Sequence, residues 1–159
     1  MPGKLEVSFN SPQCGWMSIG FSDGEREFHT TTACAPHKTA LPDLMQILSK
    51  LADTNSEETD FILKWNRDPE AYDFHFYREL GNLILEIYEF PTGDRSEPCS
   101  LVYSYVGELS PSLAAFAATF EQLYQDRETD EFEFNWRQPF PVDEFAAFRT
   151  AMAEHRNDG

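Results

Sequence analysis

Apolar and polar residues alternate over residues 4 to 9, where Leu5, Val7 and Phe9 fall on one side, the period of a strand with one buried face. Residues 10 to 15 break that pattern with Pro12 and Gly15. Residues 16 to 21 and 25 to 31 then flank Ser22, Asp23 and Gly24, and an Asp-Gly pair supplies the positive φ angles of a type I′ hairpin. With Asp23 and Gly24 as the two loop residues, Ile19 faces Phe28, Ser18 faces His29, and Met17 and Phe21 share the Ile19 side.

Further along, the period lengthens. Leu41, Leu44, Met45, Leu48 and Leu51 recur at helical spacing, with Pro42 tolerable in the first turn, and this helix ends near Asp53. Residues 53 to 60 are polar, acidic and aperiodic, the mark of a solvated loop. Alternation returns in three segments, with Phe61, Leu63 and Trp65, then Tyr72, Phe74 and Phe76, then Leu83, Leu85 and Ile87 inward. The connections over residues 66 to 70 and 79 to 82 are short enough for antiparallel hairpins. A loop over residues 91 to 97 and another strand over 99 to 106 follow.

Ser110 and Pro111 signal a helix start, with Ser110 capping free amides, and Leu113, Phe116, Ala117, Phe120, Leu123 and Tyr124 form its apolar stripe. Residues 126 to 131 read as an acidic loop and 131 to 136 as a short alternating strand. A last helix spans residues 142 to 155, with Phe145, Phe148 and Met152 apolar and Asp143 and Glu144 at its positive end. The order is not the strand-helix alternation of a parallel sheet. It predicts an α+β fold: an antiparallel, meander sheet of about six to eight strands with three helices packed mainly on one face, in a single domain over residues 1 to 155 with a frayed tail over 156 to 159.

Composition narrows the function classes. Hydrophobic residues at 41% and aromatics at 14% provide a core, and no apolar run reaches the length of a membrane span. The start lacks the apolar stretch of a secretory signal, and three cysteines leave one unpaired in any disulfide scheme, so the expectation is a soluble cytoplasmic chain with buried thiols. Twenty-eight acids against twelve bases, a net charge of -16, argue against nucleic acid and anionic membranes as partners. Residues 1 to 52 are close to neutral, with 5 acids and 4 bases, so the acidity belongs to the rest of the chain.

No motif carries an obvious reaction. Neither a glycine-rich phosphate loop nor a G-x-S-x-G elbow is present, and four lysines are few for holding phosphates. Cys34 and His37, with Cys14 and His29, have the donor chemistry of a zinc site but lack paired Cys-x-x-Cys spacing. No metal or other cofactor is therefore expected. His75, within a central strand, pairs across the ladder with Glu86 or Tyr88. It is the one base placed for a small hydrolase-like site, on the sheet face that Asp73 and Glu86 share.

Strand parity also places Tyr77 and Tyr88 on the face opposite the core, where tyrosines beside carboxylates suit recognition of a protein. With the acidic loop residues Asp126, Glu128, Asp130 and Glu131, and with residues 53 to 60, they compose a candidate surface for a basic protein partner. Residues 65 to 74, from Trp65 through Asp68, Pro69 and Tyr72 to Phe74, with Arg78 and the strand over 83 to 87, resemble a pattern in small uncharacterised bacterial proteins. In general character the chain is similar to the immunity proteins of bacterial toxin systems, a resemblance that implies binding and blocking of a cognate toxin. An enzyme or metal protein, and an accessory domain that pairs with its own copy, are the competing expectations.

Overall fold

Two separate antiparallel sheets, of three and four strands, replace the expected single sheet. The computed structural model describes residues 4–33, 38–67 and 69–158. The first sheet comprises β1 (Glu6–Gln13), β2 (Trp16–Ser22) and β3 (Glu27–Ala33) in sequence order. Helix α1 (Ala40–Ala52) leads to the second sheet, β4 (Asp60–Asn66), β5 (Ala71–Glu79), β6 (Asn82–Phe90) and β7 (Ser100–Glu108), an antiparallel meander. Helices α2 (Leu109–Asp126), α3 (Phe132–Trp136) and α4 (Val142–Asp158) complete the described residues, four helices where three were expected.

The N-terminal hairpins show where turn chemistry misleads. The two-residue turn with positive φ at both positions is Cys14-Gly15, at 52° and 81°, and β1 runs through the apparent break to meet it. The Asp23-Gly24 pair sits instead in a four-residue loop. There the Asp23 carboxylate accepts the backbone N–H groups of Glu25 and Arg26, both at 2.8 Å. The loop is two residues longer than expected, so Phe21 faces Phe28, Ile19 faces Thr30 and His29 faces Gly20. A shift of two residues keeps every side chain on its face, and Met17, Ile19, Phe21 and Phe28 are buried together as the alternation predicts.

Residues 131 to 136 depart further, forming a helix rather than a strand. Phe132 and Trp136 are buried, four residues apart, while Phe134 between them is 78% exposed, which is helical spacing. Helix α2 likewise lacks the expected Ser110 cap. It begins two residues earlier, at Leu109 rather than Pro111, and the Ser110 hydroxyl lies 2.7 Å from His155 Nε2.

One continuous hydrophobic cluster takes residues from both sheets and all four helices. Phe21 of β2 meets Phe74 of β5, Tyr103 of β7 and Phe116 of α2 at ring-centroid separations of 5.8, 6.1 and 5.9 Å, and Phe28 meets Tyr72 at 5.5 Å. Trp65 stacks on Phe74 at 5.7 Å, both fully buried. Truncating either to alanine should cost about 3–5 kcal/mol. The three-stranded sheet and the long helices thus lie against a single face of the four-stranded sheet. This leaves the other face of that sheet outward.

Candidate functional site

The outward face is built by strand parity and antiparallel register. Phe74 and Phe76 point inward, so Asp73, His75 and Tyr77 of β5 point out, as do Ile84, Glu86 and Tyr88 of β6. Register sets Asp73 opposite Tyr88, His75 opposite Glu86 and Tyr77 opposite Ile84. The five sheet residues singled out from the sequence therefore form one patch, and no described helix covers them. β4 adds Asp60, Ile62 and Lys64, opposite Tyr77, His75 and Asp73.

β7 supplies the other flank through an irregularity. Its register shifts between Ile87 and Tyr88 of β6, leaving Val102 unmatched, so Tyr103 stays in the core while Leu101 faces out opposite Tyr88. Ser104 and Val106 continue the outward row opposite Glu86 and Ile84. Ile62 on one edge strand and Leu101 and Val106 on the other are each more than half exposed, so aliphatic side chains flank the polar residues of the face on both sides. These three do not stand out in the sequence because the strand period marks the inward residues of each strand. The outward parity of Ile62, between Phe61 and Leu63, was the available signal.

Polar groups on the face are organised around His75. Its Nδ1 lies 3.0 Å from the Tyr77 hydroxyl, and its ring sits 4.9 Å from that of Tyr88. Burial pushes the Tyr77 and Tyr88 hydroxyls above their ordinary value, and the Glu86 carboxylate adds to both shifts through its charge and hydrogen bonding. Both phenols stay protonated at neutral pH. Asp73 is already committed, because Arg95 Nε and Nη2 each donate to its Oδ1 at 2.9 Å. The loop carrying Arg95 is itself braced by Asp94, whose carboxyl is held at about 2 by hydrogen bonds from Thr92 and Ser96.

This arrangement gives little support to hydrolysis. His75, Glu86 and Ser104 form a row across three strands, but the carboxylate is in the middle, and the serine lies two strand spacings, about 10 Å, from the imidazole. A histidine at that distance cannot take the proton of the serine hydroxyl. Among the described residues no group of three histidine, cysteine or acidic side chains is placed to hold a metal. Cys34 and His37 lie outside the described residues. Cys14 is at the hairpin tip, and His29 is opposite Gly20, four residues or about 13 Å along β2 from Trp16, so this pair does not converge. Cys14 and Cys99 are exposed free thiols, not buried ones.

The acidic loop residues do not join the sheet face. Asp126 ends α2, which packs on the inward side of the four-stranded sheet, and the other three follow it. There they divide, Asp126 and Asp130 lining a groove against β1 and β2, and Glu128 and Glu131 lining another with exposed Phe134. The segment over residues 53 to 60 does border the face, since Asp60 is the register partner of Tyr77. No described helix is long and apolar enough to cross a membrane. No family model matches the chain, and neither a curated protein nor a solved structure matches it.

Proposed function

We propose that this chain is an acidic protein-binding domain that docks a basic partner on the outward face of β4–β7, in its narrower form an immunity-type inhibitor of that partner. The observation that carries the reading is the uncovered sheet face itself: Ile62, Leu101 and Val106 exposed beside His75, Tyr77 and Tyr88. Aromatic and aliphatic side chains on rigid strands offer contact area at low entropic cost. Glu86 and Asp60 add acceptors within the patch, and a net charge of -16 steers a basic protein toward it while opposing a second copy of the chain.

The test compares capture by the native chain with capture by the Ile62→Glu, Val106→Glu double variant, whose substitutions are both on exposed positions. A basic protein held by the first and lost by the second, with an association rate that falls steeply as salt rises, supports the reading. A partner retained by the double variant moves the interface elsewhere. A salt-independent rate removes the electrostatic part, and a dimer of the native chain that the same substitutions dissolve would assign the face to self-association.

A further inference from the structure

A groove lies on the other side of the molecule. The open groove holding Asp126 and Asp130 has a volume of about 710 Å³. Its floor is apolar, with Phe9, Met17 and Leu123. The edge strand β1, the end of α2 and Asn135 of α3 form its polar walls. Trp16, 41% exposed where Trp65 and Trp136 are fully buried, stands along it. No lysine, arginine or histidine lines it.

The hydrogen bonds inside the groove decide what it offers a ligand. The Ser11 hydroxyl donates to Asp130 Oδ2 at 2.6 Å, and the Gln122 amide donates to Asp126 Oδ2. The Asn135 amide donates to the carbonyls of Asp130 and Glu131 at 3.1 and 3.2 Å. The Ser11 hydroxyl and the Asn135 amide are thus engaged within the protein, while the second oxygens of both carboxylates keep lone pairs for a ligand, and the Ser18 and Thr31 hydroxyls and the second N–H of Gln122 add groups that can donate. The carboxamides of Asn10 and Gln13 can turn either end inward. Two carboxylates without a basic side chain among the lining residues, beside the exposed Trp16, match a donor-rich cation. What separates a cation from a neutral polyhydroxylated ligand here is charge, since Asp126 and Asp130 line the groove and no lysine, arginine or histidine does.

We infer that this groove binds an organic cation, an ammonium or guanidinium group seated against the Trp16 indole with Asp126 and Asp130 as its counter-charges. The group has two possible sources, a free amine or a lysine or arginine side chain of a peptide, and both present the same chemistry to the groove. The inference does not depend on the sheet-face reading, because the two sites lie on opposite sides of the four-stranded sheet.

Tryptophan emission provides the readout, since Trp16 is the exposed indole. The native chain is titrated with agmatine as the free cation, with a capped Gly-Arg-Gly peptide as the side-chain source, and with the citrulline peptide and maltose as neutral controls. Saturable change with agmatine, the arginine peptide or both is expected, and whichever arm responds names the source. Asp126→Asn, and separately Asp130→Asn, should weaken that binding about tenfold each, with circular dichroism melts confirming that each variant is folded. Ile62→Glu should leave it unchanged. The assignment is overturned if neither cation gives a saturable signal, if maltose or the citrulline peptide binds as well as the cations, or if both aspartate variants bind like the native chain, which would place the cation elsewhere on the acidic surface.

Discussion

The guanidinium of Arg78, on β5, donates from Nη1 to the carbonyl of Leu51 at 2.7 Å, closing the C-terminal end of α1. The same nitrogen reaches the Asp53 carbonyl at 2.8 Å, and Nη2 reaches that of Ser56 at 2.8 Å. One side chain therefore satisfies carbonyls that the helix end leaves without partners and fixes the path of the following loop. Arg78→Ala should lower stability by about 2–3 kcal/mol, because several charge-assisted hydrogen bonds are lost together. Arg78→Lys should recover only part of this, since one ammonium cannot span the same carbonyls. Urea denaturation measures both, and an alanine variant as stable as the native chain would refute the role.

Arg95 and Asp73 form the second organising pair, both side chains more than four-fifths buried. Arg95 also lies over the Phe90 ring, 5.4 Å from its centroid. Removing Asp73 deletes this charge-assisted hydrogen bonding to Arg95, and Asp73→Ala should cost about 2 kcal/mol. A pair this shielded is weakly screened, so its coupling in a double-mutant cycle should persist in high salt. Coupling that vanishes with salt would mean a solvated contact.

Alkaline pH should destabilise the fold through Tyr103. Burial pushes its hydroxyl above the ordinary value of 10.0, and the neighbouring Asp23 carboxylate pushes it further. Above pH 10 the unfolded chain loses this proton while the folded chain keeps it. The unfolded state therefore binds fewer protons, and stability falls as pH rises. The stabilisation is complete below pH 10 and is lost through the alkaline range. Tyr72, Tyr77 and Tyr88 shift in the same direction, so Tyr103→Phe should flatten the slope of stability against pH above 10 without abolishing it. Thermal melts across that range provide the comparison, and an unchanged slope would contradict the assignment.

The β5–β6 turn carries a correctable strain. Leu80 holds φ at 51° before Gly81 at 81°, and its side chain is 96% exposed. Left-handed backbone costs a leucine about 1–2 kcal/mol, and asparagine tolerates it better. Leu80→Asn should raise stability by about 0.5–1 kcal/mol in chemical denaturation. A decrease would show that the exposed leucine has a stabilising contact that this geometry lacks.

Strands β4, β5 and β6 of the meander were legible because each has one largely apolar side. Leu63, Trp65, Phe74, Phe76, Leu83, Leu85 and Ile87 could be placed inward from period alone, and all are buried. Helix α1 was legible for the same reason, its leucines recurring at helical spacing. Residues 131 to 136 were not, because three aromatics at alternate positions fit a strand, and only packing reveals that the middle one, Phe134, is left outside. The site was half legible. Parity gathered Asp73, His75, Tyr77, Glu86 and Tyr88 on one face, but Leu101 joins them only through the irregularity in β7, which no period announces.

By itself the sequence determined which residues of the regular strands and of α1 turn inward, since alternation and helical spacing are local properties of the chain. It also determined the sign of the electrostatic field, because charge is carried by composition. Only the tertiary structure decided that the hairpins form a sheet of their own, that this sheet and the helices take one side of the meander, and that the other side stays open. It also separated the acidic loop from the tyrosine face. Such choices rest on contacts between distant segments, such as Phe21 against Phe74 and Phe28 against Tyr72, whose energies no local pattern encodes.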